Sequence, residues 1–79
     1  MNATEIIAKL EPVFKETFED APIHFSPDLA REEIKAWDSL GHIRLISAIE
    51  EAFGVQFALE EFDKLGSVRG ICQQLADKL

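Results

Sequence analysis

Apolar residues recur at helical intervals in four stretches of this chain and nowhere alternate strictly, so the expected fold is all-α. Its 79 residues leave room for one domain, residues 1–79, built as a small antiparallel four-helix bundle of three main helices and a short third one. The first stretch opens at Asn2, with Glu5 three residues on in capping-box spacing. Ile6, Ile7, Leu10, Val13, Phe14 and Phe18 follow as one stripe. Pro12 falls inside it. A proline has no N–H to give, so the sequence predicts either a kink or a fresh start there.

Glu19 to Trp37 reads as a long loop, punctuated by Pro22 and Pro27, with a short turn signalled at Ser26-Pro27. A connection of that length in so small a domain needs pinning, and Ile23, Phe25, Leu29, Ile34 and Trp37 are the side chains expected to do it. Asp38 is a strong N-cap for a second helix from Ser39 to about Phe53, with Gly54 placed to end it. Leu45, Ile46, Ile49 and Phe53 share its apolar face, flanked by Ile43, while Arg44, Ser47 and Glu51 share the opposite one. Leu40 projects onto that polar side. After Val55 and Phe57 a short helix is expected over Leu59–Lys64. Gly66 breaks it, and Ser67 caps a last helix striped by Val68, Ile71, Cys72, Leu75 and Leu79.

Charge narrows the partners. Fifteen acidic against eight basic residues give a net charge of −7. Such a chain repels phosphate backbones and offers no basic stripe, so neither nucleic acid nor an anionic membrane is an expected partner; basic protein surfaces are. The single cysteine cannot close an internal disulfide, which suits a reducing cytoplasm. No apolar run is long enough to span a bilayer, and Met1–Leu10 carries Glu5 without a basic start, so no signal peptide is expected. A monomer is the expected state.

No catalytic or metal constellation is present: CxxC, HExxH, GxGxxG, a P-loop and a calcium loop are all missing. His24 and His42 lack the spacing and partners of a metal pair. His42 projects onto the apolar face of the second helix and reads as a packed histidine. Cys72 reads as core. What remains is Trp37-Asp38-Ser39-Leu40, which has two readings. It is an ordinary capped helix start, or it displays the Ser39 hydroxyl where free N–H groups and the positive end of the helix dipole favour an esterified phosphate.

Asp38-Ser39-Leu40, followed by Ile43, Leu45-Ile46, Ala48-Ile49-Glu50-Glu51 and Phe53-Gly54-Val55, resembles the acyl carrier protein family. The likeness covers nearly the whole chain and is most specific from Trp37 to Phe57. It implies that Ser39 receives a 4′-phosphopantetheine arm from coenzyme A, that no residue is catalytic, and that an acyl or aminoacyl group rides on the arm as a thioester. It also implies a phosphopantetheinyl transferase, a loading ligase or transferase, and downstream condensing or acyltransferase enzymes as partners. Asp38, Leu40, Ile43, Glu50 and Glu51 match positions that such partners touch. A cleft between the second helix, the short third helix and the loop could open to shelter an apolar cargo, with Ile43, Ile46, Phe57 and Phe62 read either as its lining or as ordinary core.

The sequence departs from fatty-acid-synthesis carriers at Gly41 and Arg44, where acids are common, although Asp38–Asp63 still holds six acids against one base. Trp37-Asp38-Ser39-Leu40-Gly41-His42 looks more like specialised carriers of polyketide, amino-acid or other secondary pathways. The rival reading is an unmodified acidic helical interaction domain. A hydrolase using Ser39 as nucleophile lacks a base and an oxyanion site.

Overall fold

Asn2 opens the first helix as its spacing predicts. In the structure, a computed structural model that describes residues 1–19 and 23–79, the Asn2 side chain accepts the Glu5 N–H at 2.8 Å, and Glu5 takes the Asn2 N–H at 3.4 Å. Helix α1 then runs unbroken over Ala3–Thr17, burying Ile6, Leu10 and Phe14. Pro12 does not start a new helix. It lies on the exposed face, as does Ala8, whose carbonyl loses its helical donor there. Pro12→Ala is therefore expected to stabilise the protein by about 1–3 kcal/mol, the interior-proline penalty less the entropy that proline removes from the unfolded chain. A higher urea midpoint at unchanged slope would register it.

The long connection is held down from both ends. Its Pro22 lies outside the described residues. The turn expected at Ser26-Pro27 forms, closed by the Leu29 N–H on the Ser26 carbonyl at 3.1 Å. A 3-10 turn over Arg31–Glu33 follows that the sequence did not announce, with the Glu33 carboxylate taking the Ala30 N–H at 2.9 Å. This stretch is stitched to the start of the last helix. Arg31 donates to the Gly66 carbonyl and Val68 to the Leu29 carbonyl, both at 2.9 Å, which makes an antiparallel bridge between Ala30 and Ser67. Leu29, Ile34 and Trp37 are buried and Ile23 and Phe25 pack against the core, as the pins were expected to do. Phe14 is the centre of an aromatic cluster, edge-on to Trp37 and Phe25 at centroid distances of 5.2 and 5.4 Å.

Helix α2 spans Ser39–Phe53 between the two signals that bounded it in the sequence. Asp38 accepts the Gly41 N–H, and Gly54 ends the helix at φ 66°, a left-handed conformation that favours glycine. The expected short helix forms over Leu59–Leu65 with 3-10 geometry. It lies along α3, Val68–Lys78, which Ser67 caps through the Gly70 N–H at 3.0 Å. That approach is close: a Cβ at Gly70 would meet the Lys64 carbonyl at 2.4 Å. Helix α1 packs on both α2 and α3, giving the small helical bundle that the periodicity predicts. One stripe residue departs from expectation. Leu79 falls past the end of α3 and is half exposed.

Glu61 clips the 3-10 helix to α3. Its carboxylate takes the Ala58 N–H at 3.2 Å and pairs with Lys78 at 3.0 Å. The Ala58 N–H first, then Lys78, hold the Glu61 carboxyl below its ordinary value of 4.5. A carboxyl depressed by folding stabilises the folded state above its unfolded value, and that contribution disappears as pH falls through the folded value. The stability gap between wild type and Glu61→Gln is thus expected to be full at neutral pH and to close below about pH 4.5. Urea midpoints of the two proteins along a pH series check the sign.

Candidate functional site

The junction between the loop and α2 places Ser39 as the first helical residue, exposed to solvent. Asp38 serves the Gly41 N–H, leaving the Ser39 hydroxyl free of capping work. The N–H groups that every helix leaves without internal partners in its first turn give this end a positive potential. The chain reaches Ser39 by a fixed route. The Trp37 N–H bonds the Ile34 carbonyl at 3.0 Å, and the Arg31 guanidinium donates to the Trp37 carbonyl at 2.9 Å.

Trp37 is 2% exposed, and its indole N–H donates to His42 Nδ1 at 2.8 Å. The other imidazole nitrogen, Nε2, lies 3.0 Å from the Phe62 carbonyl oxygen. Because Nδ1 accepts, the ring proton is on Nε2 and is given to Phe62. His42 is the only polar or charged side chain buried among the described residues, and both of its nitrogens are satisfied. The packed reading of His42 holds. Its two partners, on the loop and on the 3-10 helix, had no signal in local sequence.

Gly41 corrects an expectation. Read as a missing acid on the exposed face of α2, it is in fact buried, because the loop backbone crosses it there. A Cβ would stand 2.1 Å from the Ala36 carbonyl oxygen and 3.2 Å from the Phe18 ring. Arg44 does lie on the surface, but it turns to the C-terminal end of α1 and donates to the Thr17 carbonyl at 3.2 Å. Glu50 also turns inward, taking the Phe57 N–H at 2.8 Å. Asp38 and Glu51 are exposed.

Leu40 is 69% exposed and Ile43 54%, so the leucine on the polar side of the helix faces water and Ile43 does not line an interior cleft. Ile46 and Phe57 are buried and Phe62 packs against the core. Leu59, 80% exposed at the start of the 3-10 helix, was not singled out from the sequence. Its spacing gave no signal, because Leu59, Phe62 and Leu65 recur every three residues on one face of a 3-10 helix, and Leu59 stands out only because it lies in the first turn. A surface groove of about 270 Å³ lies elsewhere, between α1 and α2, lined by Val13, Glu16, Thr17, Ala48, Glu51 and Ala52. Among the described residues no group of His, Cys, Asp or Glu is arranged to hold a metal. Cys72 is buried, as its place in the stripe predicted.

Residues 37–75 match the family described as phosphopantetheine attachment site. Across all 79 residues the chain is 32% identical to an acyl carrier protein of Thermosynechococcus vestitus, spanning 98% of that protein. The chain belongs to the acyl carrier protein family. It is also 28% identical over 74 residues to an acyl carrier protein of Streptomyces coelicolor, covering 92% of this chain and 80% of that one. The solution structure of a holo acyl carrier protein from Geobacter metallireducens superposes with a TM-score of 0.81 at 33% identity, over 92% of this chain and 84% of its own. Acyl carrier proteins are carriers rather than catalysts, with phosphopantetheine as their prosthetic group. They work with phosphopantetheinyl transferases and acyl-handling enzymes. Among the described residues no helix is long and apolar enough to cross a membrane.

Proposed function

We propose that Ser39 is the residue that carries the phosphopantetheine arm, and that residues 1–79 act as a single carrier domain. The observation that carries this is a solvent-exposed serine at the first position of α2, inside the matched stretch, with its hydroxyl uncommitted and the positive end of the helix beside it. When attached, the group supplies a thiol at the end of a flexible tether, to which an acyl or aminoacyl cargo is joined as a thioester. The chain's own work is to hold that serine outward on a rigid helix and to present a face to partners. Tethering then raises the cargo's effective concentration at each partner's active site.

The exposed apolar side chains available to that face are Leu40 and Ile43 on α2 and Leu59 on the 3-10 helix, and Asp38 and Glu51 are exposed carboxylates at the two ends of α2. Exposed apolar anchors on an acidic chain suit docking to an apolar patch on a basic partner surface. Glu50, spent on the Phe57 amide, plays an internal part instead. The pathway we favour is a specialised one, polyketide, amino-acid or another secondary route, over fatty acid synthesis. The surface of α2 supports this: Arg44 stands exposed at a position where fatty-acid carriers commonly have an acid. A monomer in the cytoplasm fits the composition. Intact mass after incubation with a phosphopantetheinyl transferase, coenzyme A and magnesium tests the attachment site. One added arm on wild type and none on Ser39→Ala supports it; no addition to folded, unmodified wild type leaves an acidic interaction domain.

A further inference from the structure

The 3-10 helix packs along α3 and not along α2, yet one buried polar side chain reaches it from α2. His42 sits one turn after Ser39 and donates from Nε2 to the Phe62 carbonyl in the middle of the 3-10 helix. Its Nδ1 is occupied by Trp37, so the ring cannot turn away without giving up both bonds in a dry environment. Ile46 and Phe57 are buried and Phe62 is half-buried, all apolar groups of α2 and of the segment that includes the 3-10 helix.

We propose that His42 is a latch: its bond to the Phe62 carbonyl ties the 3-10 helix to α2 at one point, and so sets how readily an acyl chain tethered at Ser39 passes between them. The cargo half of this inference rests on the carrier reading above; the latch itself does not. His42 is a positioning residue here, acting through the backbone of its neighbour. A single net hydrogen bond corresponds to about a two- to tenfold shift in the population of the opened arrangement.

Two substitutions separate the two bonds. In His42→Asn the amide oxygen occupies the place of Nδ1 and keeps the Trp37 bond, while the side chain is too short to reach Phe62. In His42→Gln the longer amide keeps a donor near the place of Nε2 and forfeits the Trp37 bond. Amide hydrogen exchange of the apo proteins is the first readout and needs no modification. His42→Asn is expected to speed exchange in Leu59–Leu65 by about two- to tenfold, with α3 unchanged, while His42→Gln leaves that segment near wild type. The second readout is thioester lifetime and interior amide shifts of the octanoyl-loaded proteins, with loading confirmed by intact mass. Here His42→Asn is expected to show larger interior shifts and slower thioester hydrolysis than wild type and His42→Gln. Equal exchange in His42→Asn and wild type, or equal acceleration by both variants, overturns the latch. Failure of wild type to load overturns the carrier reading and leaves the exchange result to judge the latch alone.

Discussion

Ser39→Ala is expected to fold as wild type does and to accept no phosphopantetheine at all. The two halves of that outcome come from different atoms. The capping of α2 is done by Asp38, whose carboxylate takes the Gly41 N–H at 2.8 Å, and the Ser39 side chain is exposed. Removing a solvent-facing hydroxyl at the first helical position, with alanine a better helix former than serine, leaves stability within about 0.5 kcal/mol. Loading has no substitute nucleophile in that place. The measurements are intact mass for loading and a urea midpoint for stability, on the same preparations. A variant that loads to any extent would put the arm on another side chain. A variant that fails to fold would mean that the hydroxyl has structural work that the geometry around Asp38 does not show.

Much of the fold was legible because its signals are local. Asp38 and Gly54 bound α2 to the residue, since an N-cap side chain and a left-handed C-terminal glycine act within one turn. The capping box of α1 and the Ser67 cap of α3 are of the same kind. Pro12 left two outcomes open in the sequence, and α1 runs through it with the proline on the exposed face, which depends on how the helix packs. The 3-10 turn at Arg31–Glu33 had no local announcement. It is held by backbone bonds to Gly66 and Val68, more than thirty residues away in the chain. Leu40 could be read as outward from the helical wheel alone, whereas Leu59 could not be placed until the inward face of the 3-10 helix was known.

At the site the same division holds. Ser39 was legible as a displayed hydroxyl because its position depends only on Asp38 and the start of α2. The environment behind it was not. His42 was read as packed, but Trp37 and Phe62 become its partners only when the loop and the 3-10 helix meet over α2. Glu50 and Glu51 are adjacent and alike in sequence, yet one caps the Phe57 amide and the other faces water.

Gly41→Ala is expected to destabilise the protein by about 2 kcal/mol or more and to slow loading of Ser39, although helix propensity alone favours the change by about 1 kcal/mol. The added Cβ would stand 2.1 Å from the Ala36 carbonyl oxygen and 3.2 Å from the Phe18 ring. The first of these is backbone and cannot swing aside like a long side chain, so the loop must lift from α2. Lifting it strains the Trp37 turn, whose N–H is on Ile34 and whose indole is on His42. Ser39 is two residues from that turn, and misplacing a reacting group by about an ångström costs on the order of 10²-fold in rate when an enzyme must align it. Gly66→Ala is the control: nothing lies within 4 Å of its would-be Cβ, and its φ of −85° suits any residue. That variant is expected to stay within about 0.5 kcal/mol of wild type and to load normally. Urea midpoints and the initial rate of phosphopantetheine transfer separate the two glycines. Equal stability and equal loading for both variants would mean that the Ala36 crossing is not held in solution, and that Gly41 is free after all to act as the surface position its place in the sequence suggested.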